Sequence, residues 1–450
     1  MSISAWVRRS GAPSLNSSRF IAAFGLVVLA LTASTAPAQP VFSQATLSLV
    51  EAQRLAVAHS RQLAAQDSLI TSAKEMAVAA GQLPDPVLKL GLDNVPADGA
   101  DRFSLGTDFM TMRRIGVMQE ITRGDKRKLK SARFEREAEL AVTEKAAAVA
   151  VVQKDTALAW LDRYYLERMR ATVAAQAEEA KLEIEAADGA YRAGRGSQAD
   201  VFTARASRAT LDDRLSELDR RVRNARAALA RWVGNASDAP LAGAPEFKAV
   251  HFNTHTLDED LQRHPEIALL QRQVDVADAD AQLARANKQA DWSVEVAYQE
   301  RGPAFSNMFS VGVAIPLQWD QKNRQDRELA SKLALADRAK AQQEDVLRNH
   351  TAEVRSMFNE WENGQERSAR YERELVPLAQ DRTQAALAAY RGGKGDLSAV
   401  LAARRNEIEV RTQALQLEMD TARAWAQLTF LVPDEDHAAH IEAVVPKEQP

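Results

Sequence analysis

Hydrophobic and polar positions along this chain follow two rhythms that alternate and then return. Over residues 47–81 the apolar positions, among them Leu55, Ala58, Ala65 and Leu69, recur at helical spacing and predict one helix, stopped by Pro84-Asp85-Pro86. Leu88, Leu90 and Leu92 then alternate with Lys89, Gly91 and Asp93, which predicts a strand with one apolar and one polar face. A polar loop over 94–108 leads to a second strand at about 114–121. No proline falls between residues 124 and 234, and this span predicts a helix of roughly 70 residues, a break at Gly194-Arg195-Gly196 and a helix of roughly 40. At 1.5 Å per residue the first is about 100 Å long, a rod that no globular core requires. The second carries Leu211, Leu215, Leu218, Val222, Ala225, Leu229 and Trp232 at alternating spacings of four and three, the seam of a coiled coil. Ala177, Ala180, Ile184, Ala187 and Tyr191 keep the same rhythm before the break, so the two helices form an antiparallel hairpin.

The whole order then recurs. Residues 265–290 read as a helix. Trp292, Val294, Val296 and Tyr298 alternate with Ser293, Glu295, Ala297 and Gln299, and Phe309, Val311, Val313 and Ile315 alternate with Ser310, Gly312 and Ala314. A second long helical span reaches about residue 392, with Pro377 expected to kink it, and a last helix runs to about 431. Local sequence repeats as well. Tyr191-Arg-Ala-Gly-Arg-Gly returns as Tyr390-Arg-Gly-Gly-Lys-Gly, residues 59–65 resemble 264–270, and 115–121 align with 311–317 ahead of stretches holding Lys126 and Lys322. A duplication on this scale indicates an elongated, pseudo-symmetric assembly.

Composition narrows the classes. The chain has no cysteine, which removes disulfides, thiolate metal sites and cysteine nucleophiles. Arg8, Arg9 and Arg19 precede an apolar run over 20–31, and Ala36-Pro37-Ala38 supplies a cleavage pattern, the layout of a signal peptide over 1–38. Loss of those three arginines takes the net charge from −4 to −7, which argues against a nucleic-acid partner. No other stretch nears the ~20 apolar residues of a membrane-spanning helix, so a membrane location requires a closed β-barrel. Four strands cannot close one alone; several copies must each contribute strands.

The duplicated helix–strand–strand–helix–helix order and the two Tyr-Arg-x-Gly segments resemble the TolC family of outer-membrane efflux channels. Residues 83–92 (Leu-Pro-Asp-Pro-Val-Leu-Lys-Leu-Gly-Leu) and 375–379 (Leu-Val-Pro-Leu-Ala) look closest to CzcC/CusC-type heavy-metal channels. The resemblance implies a mainly α fold with a small β part. Duplicated long-helix hairpins would form a trimeric α-barrel, and four strands per chain would join a twelve-stranded transmembrane β-barrel. The expected organisation is a signal peptide over 1–38, a first repeat over 39–233, an inter-repeat segment over 234–264, a second repeat over 265–432 and a tail over 433–450. It also implies an outer-membrane location extending into the periplasm, a homotrimer, a periplasmic adaptor and an inner-membrane resistance-nodulation-division transporter as partners, and passive conduction of heavy-metal cations without catalysis. Multidrug efflux, type I secretion and an exported structural coiled coil are the competing readings.

On this reading Leu88, Leu90, Leu92, Trp292, Val294, Val296, Tyr298, Phe309, Val311 and Val313 face lipid, while Lys89, Asp93, Glu295 and Gln299 face a wet lumen. Tyr191, Gly194, Gly196, Tyr390, Gly393 and Gly395 lie at the periplasmic tips that meet the adaptor. Asp200 and Asp396 are candidate gate residues, with helix capping as the alternative for Asp200. No cofactor and no metal site is expected. His251 and His255 flank Asn253 in a loop and resemble a metal pair only superficially; Met110, Met112 and Met118 cluster near the second strand and read as lumen lining or packing, with ligation of Cu(I) or Ag(I) as the alternative. Trp160, Trp361 and Trp425 read as helix packing.

Overall fold

The computed structural model describes residues 46–243, 247 and 264–430. The signal segment, the tail and most of the inter-repeat connection, with His251 and His255, lie outside the described residues.

Two short helices open the fold, α1 (Leu49–His59) and α2 (Arg61–Ala80), where the sequence pattern predicts one. Ser60 is the reason. Its backbone leaves the helical region at ψ 109° and its side chain accepts from the Leu63 amide at 3.3 Å, while Ser48 caps α1 through the Glu51 amide at 3.2 Å. A serine hydroxyl competes with the helical backbone, and here it restarts the helix.

Strands β1 (Val87–Asp93) and β2 (Met112–Ile121) follow, then α3 (Gly124–Arg192) and α4 (Gln198–Val233). The second repeat supplies α5 (Pro265–Ala286), β3 (Trp292–Glu300), β4 (Met308–Ala314) and α6 (Gln325–Arg370). The π-helical turn Tyr371–Leu375, α7 (Val376–Arg391) and α8 (Leu397–Thr429) complete it. With 69 residues, α3 spans about 100 Å at 1.5 Å per residue. Pro377 falls in the first turn of α7, and the Val376 amide reaches back five residues to the Tyr371 carbonyl. The proline removes a donor and crowds the carbonyl four residues earlier, and one widened turn absorbs that misfit within a continuing helix.

α3 is the spine, packing along α2, α4, α5 and α8. Leu211, Leu218, Ala225 and Leu229 of the α4 seam are buried against Ala177 and Ala180 of α3. The main core centres on Trp160, Leu161, Tyr165 and Met169, all at most 1% exposed. Trp160 stacks on Tyr164 at 5.3 Å and donates from Nε1 to the Leu47 carbonyl at 3.0 Å. Beside it, buried Arg163 donates to the Ser237 and Ala239 carbonyls (2.6 and 3.0 Å) and to Glu167 at 2.7 Å, tying the segment after α4 to the spine.

The four strands form one antiparallel sheet in the order β1-β2-β3-β4, so each repeat contributes a hairpin and β2 pairs with β3 across the duplication. Lys126 fixes the junction of sheet and helices, donating to Asp291 at 2.6 Å and to the Gln289 carbonyl at 3.1 Å just before β3. Among the described residues, no helix is long and apolar enough to cross a membrane.

Candidate functional site

The strand register sorts the sheet into two chemically distinct faces. Leu88, Val117, Val296 and Val311 lie opposite one another as one rung across all four strands, and Leu90, Ile115, Tyr298 and Phe309 as the next. Val294, Val313 and Trp292 extend this face at one end. At the other, Leu92 sits beside Arg113, whose guanidinium meets Glu300 at 3.5 Å. The sequence-derived apolar residues therefore share one surface, and Ile115 and Val117 of β2 join them. The two rungs lie open: Leu90, Leu88 and Phe309 are 71%, 61% and 68% exposed. A contiguous apolar patch of this kind marks an interaction surface.

The opposite face is charged. Lys89 donates to Glu295 at 2.6 Å, Arg114 bridges Glu295 at 3.5 Å and Asp93 at 3.1 Å, and Gln299 donates to Ser310 at 2.8 Å. Gly116 lies against Ala297, where a side chain on the glycine would collide. The four polar residues singled out from sequence thus belong to cross-strand pairs, with Arg114 as the cation that alternation alone did not single out. Met112 and Met118 also lie on this face, six residues apart along β2, roughly 20 Å at the rise of a strand and too far to share one ion. The outer edges of β1 and β4 carry no strand partner among the described residues.

At the far end of the long helices the two Gly-rich turns are near copies. Gly194 and Gly393 both have φ of +69°, a conformation that favours glycine. Arg195 donates its amide to the Ala190 carbonyl and Lys394 to the Ala389 carbonyl, each at 2.9 Å. Gly196 and Gly395 close these turns, where an added Cβ would lie 3.2 Å from Ala190 and Ala389. An apolar cluster of Ala187, Val201, Ala204, Leu397, Val400 and Leu401 brings the two hairpin ends together. Tyr390 packs on this cluster, whereas Tyr191 is exposed. The acids cap helices. Asp200 accepts from the Ser197 amide and hydroxyl, both at 2.8 Å, bonds that hold its carboxyl below the ordinary range, and Asp396 accepts from the Ala399 amide at 3.0 Å.

One cluster escaped the sequence analysis. His264, the N-cap of α5, and His350, on α6, are 7% and 6% exposed with ring centroids 4.3 Å apart. Burial, and then the neighbouring His350, push His264 down to about 4. Glu266 completes a set whose donor atoms all lie within 4.8 Å of one another. Periodicity carried no signal for it, because the histidines come from separate elements; the only hint was the match of residues 264–270 to 59–65, and His59 is exposed.

Comparison with known proteins fits this geometry. Residues 256–432 match the family model "Outer membrane efflux protein". Over 252 residues the chain is 26% identical to the cobalt-zinc-cadmium resistance protein CzcC of Cupriavidus metallidurans, an overlap of 53% of this chain and 57% of that protein. The chain thus spans little more than half the length of that curated relative. Its fold superposes on the outer-membrane channel OprN (TM-score 0.71, 17% identity, 86% of this chain and 90% of that one) and on CusC (TM-score 0.70, 14% identity, 86% and 92%). The outer membrane protein VceC of Vibrio cholerae gives a TM-score of 0.66 at 19% identity, covering 84% and 96%. The second repeat thus matches the outer membrane efflux protein family, and the described chain shares the fold of these outer-membrane channels across both repeats.

Proposed function

We propose that this chain is the outer-membrane channel subunit of a tripartite efflux pump and conducts substrate passively from periplasm to exterior. One observation carries the reading: a four-stranded sheet with an open apolar face, a charged opposite face and two edges unpaired among the described residues, built onto a spine helix about 100 Å long. Unpaired edges are not tolerated in a bilayer, so β1 of one protomer pairs with β4 of the next. Three protomers of four strands close a twelve-stranded barrel whose apolar rungs meet lipid and whose Lys89, Asp93, Arg114, Glu295 and Gln299 line water. The helices continue the conduit through the periplasm. Work comes from an inner-membrane transporter of the resistance-nodulation-division type, and the chain itself performs no chemistry.

The paired turns at Gly194 and Gly393 are the contact for a periplasmic adaptor, with Tyr191, Gly196, Tyr390 and Gly395 shaping them. Asp200 and Asp396 cap helices and, repeated in three copies, place a ring of carboxylates at the tips that favours cations. Likeness to CzcC supports heavy-metal cations as cargo. A clean deletion strain tested against zinc, cobalt, cadmium, copper and silver beside antibiotics and detergents decides the cargo. Metal sensitivity alone, restored by the intact gene, is the expected result. Sensitivity to drugs and detergents with normal metal tolerance assigns the channel to multidrug efflux, and a soluble monomer on fractionation ends the channel reading.

A further inference from the structure

The His264–His350 pair lies far from the sheet and the tips and has no part in conduction as described above. It borders an open cavity of about 460 Å³ whose wall also includes Lys154, Glu266, Glu353 and Met357. Two details set it apart from ordinary core histidines. Nε2 of His350 is buried without a hydrogen-bond partner, although such a group normally finds one. Among the described residues, the His264 imidazole makes one hydrogen bond, a long one, accepting at Nδ1 from the Glu266 amide at 3.3 Å. Glu353 lies 3.9 Å from Nδ1 of His350, too far for a hydrogen bond but on the side where a carboxylate favours the proton on Nδ1 and leaves a lone pair on Nε2.

We propose that His264, His350 and Glu266 form a binding site for a divalent transition-metal cation of the zinc and cobalt class, clamping the start of α5 to α6. Two imidazoles and one carboxylate are an established ligand set for such ions, and the open cavity leaves room for water as a fourth ligand. Tetrahedral ligands with bonds of about 2.1 Å stand roughly 3.4 Å apart, so donors now within 4.8 Å close by a side-chain shift of about 1 Å. Coordination through Nδ1 of His264 replaces its weak cap contact with a metal bond. Glu353 orients the second imidazole from outside the coordination sphere. Lys154 and the positive end of the α5 dipole oppose a cation here and moderate its affinity.

The test is a Co²⁺ titration of the full-length protein, purified in detergent and stripped with chelator, read by visible absorption and followed by displacement with Zn²⁺. One Co²⁺ per chain is expected, with a spectrum typical of imidazole and carboxylate ligation. Affinity falls roughly tenfold or more in His350→Gln and in His264→Asn, the latter keeping an acceptor at the helix cap. Lys154→Met binds more tightly. Metal-free thermal unfolding of each variant, unchanged from the original protein, separates ligand loss from misfolding. Absence of the Co²⁺ spectrum up to millimolar metal, or equal affinity in the His264→Asn/His350→Gln double variant, overturns the assignment. So does weaker Co²⁺ binding in Lys154→Met, the reverse of what removal of a repelling cation must do. Because the readout is binding to purified protein, it stands or falls separately from conduction and from the resistance phenotype.

Discussion

Replacing Leu90 with arginine separates a lipid-facing surface from one that merely meets water. Leu90 is the middle residue of β1, lies in the rung with Ile115, Tyr298 and Phe309, and is 71% exposed in the isolated chain. In water, a substitution at so open a position changes stability by about 0.5 kcal/mol or less. At a bilayer midplane the same arginine costs about 2–4 kcal/mol, and three copies in a trimer bring the total to about 6–12 kcal/mol. Copy for copy, the two environments therefore differ by a factor of about four to eight. Ser310→Arg, on the opposite face of the neighbouring hairpin, is the control: an arginine facing a water-filled lumen is expected to cost under about 1 kcal/mol. Guanidinium unfolding of vesicle-reconstituted protein, followed by fluorescence with Trp292 on the apolar face as a reporter, measures both. A Leu90→Arg protein as stable as the original, or a Ser310→Arg protein that is the less stable of the two, refutes the assignment of faces.

Three further substitutions probe the scaffold. Arg163→Met is expected to cost about 2–4 kcal/mol in chemical denaturation, because it strands the Ser237 and Ala239 carbonyls, and Arg163→Lys should restore little of it for want of the fork that reaches both. Gly364→Ala, on α6 where that helix meets Thr421 of α8, overpacks the crossing by about 1–3 kcal/mol, most of it recovered with Thr421→Ala. Asp280 of α5 pairs with Lys332 at 2.7 Å and Arg133 at 2.5 Å, which holds its carboxyl below the ordinary 3.8 against the opposing effect of burial. Its folded-state value is the lower one, so its stabilisation is present above the ordinary 3.8 and is lost as pH falls below that through the depressed folded-state value. Asp280→Asn is expected to cost about 1 kcal/mol at neutral pH and to match the original protein in strongly acid unfolding.

What the sequence made legible were the features built on long repetition. Alternation along β1, β3 and β4 identified the apolar surface residue by residue, because a period of two admits no other grouping. The heptad seam of α4 and the duplicated Gly turns placed the hairpins, since a positive φ followed by a close approach to an alanine leaves few residue choices. Single-residue decisions were less legible. Ser60 restarts a helix that periodicity runs straight through, and Pro377, expected to kink its helix, is accommodated through one π turn that periodicity does not show. Side-chain partnerships between elements distant in sequence were hidden altogether. Arg114 joins Asp93 to Glu295 only once the register is known, and His264 meets His350 only after α5 packs along α6.

The central claim is that β1 of one chain pairs with β4 of the next. The chain has no cysteine, so pairs introduced one on β1 and one on β4, stepped along both strands, react only with each other. Within one sheet these edges stand three strand spacings apart, about 14 Å, beyond the reach of a disulfide. Oxidation of intact cells followed by denaturing electrophoresis under non-reducing conditions reads the result. Covalent dimers and trimers from register-matched pairs, and none from pairs facing opposite sides of the sheet, are predicted. Monomer throughout, at every register, contradicts the closed trimeric barrel.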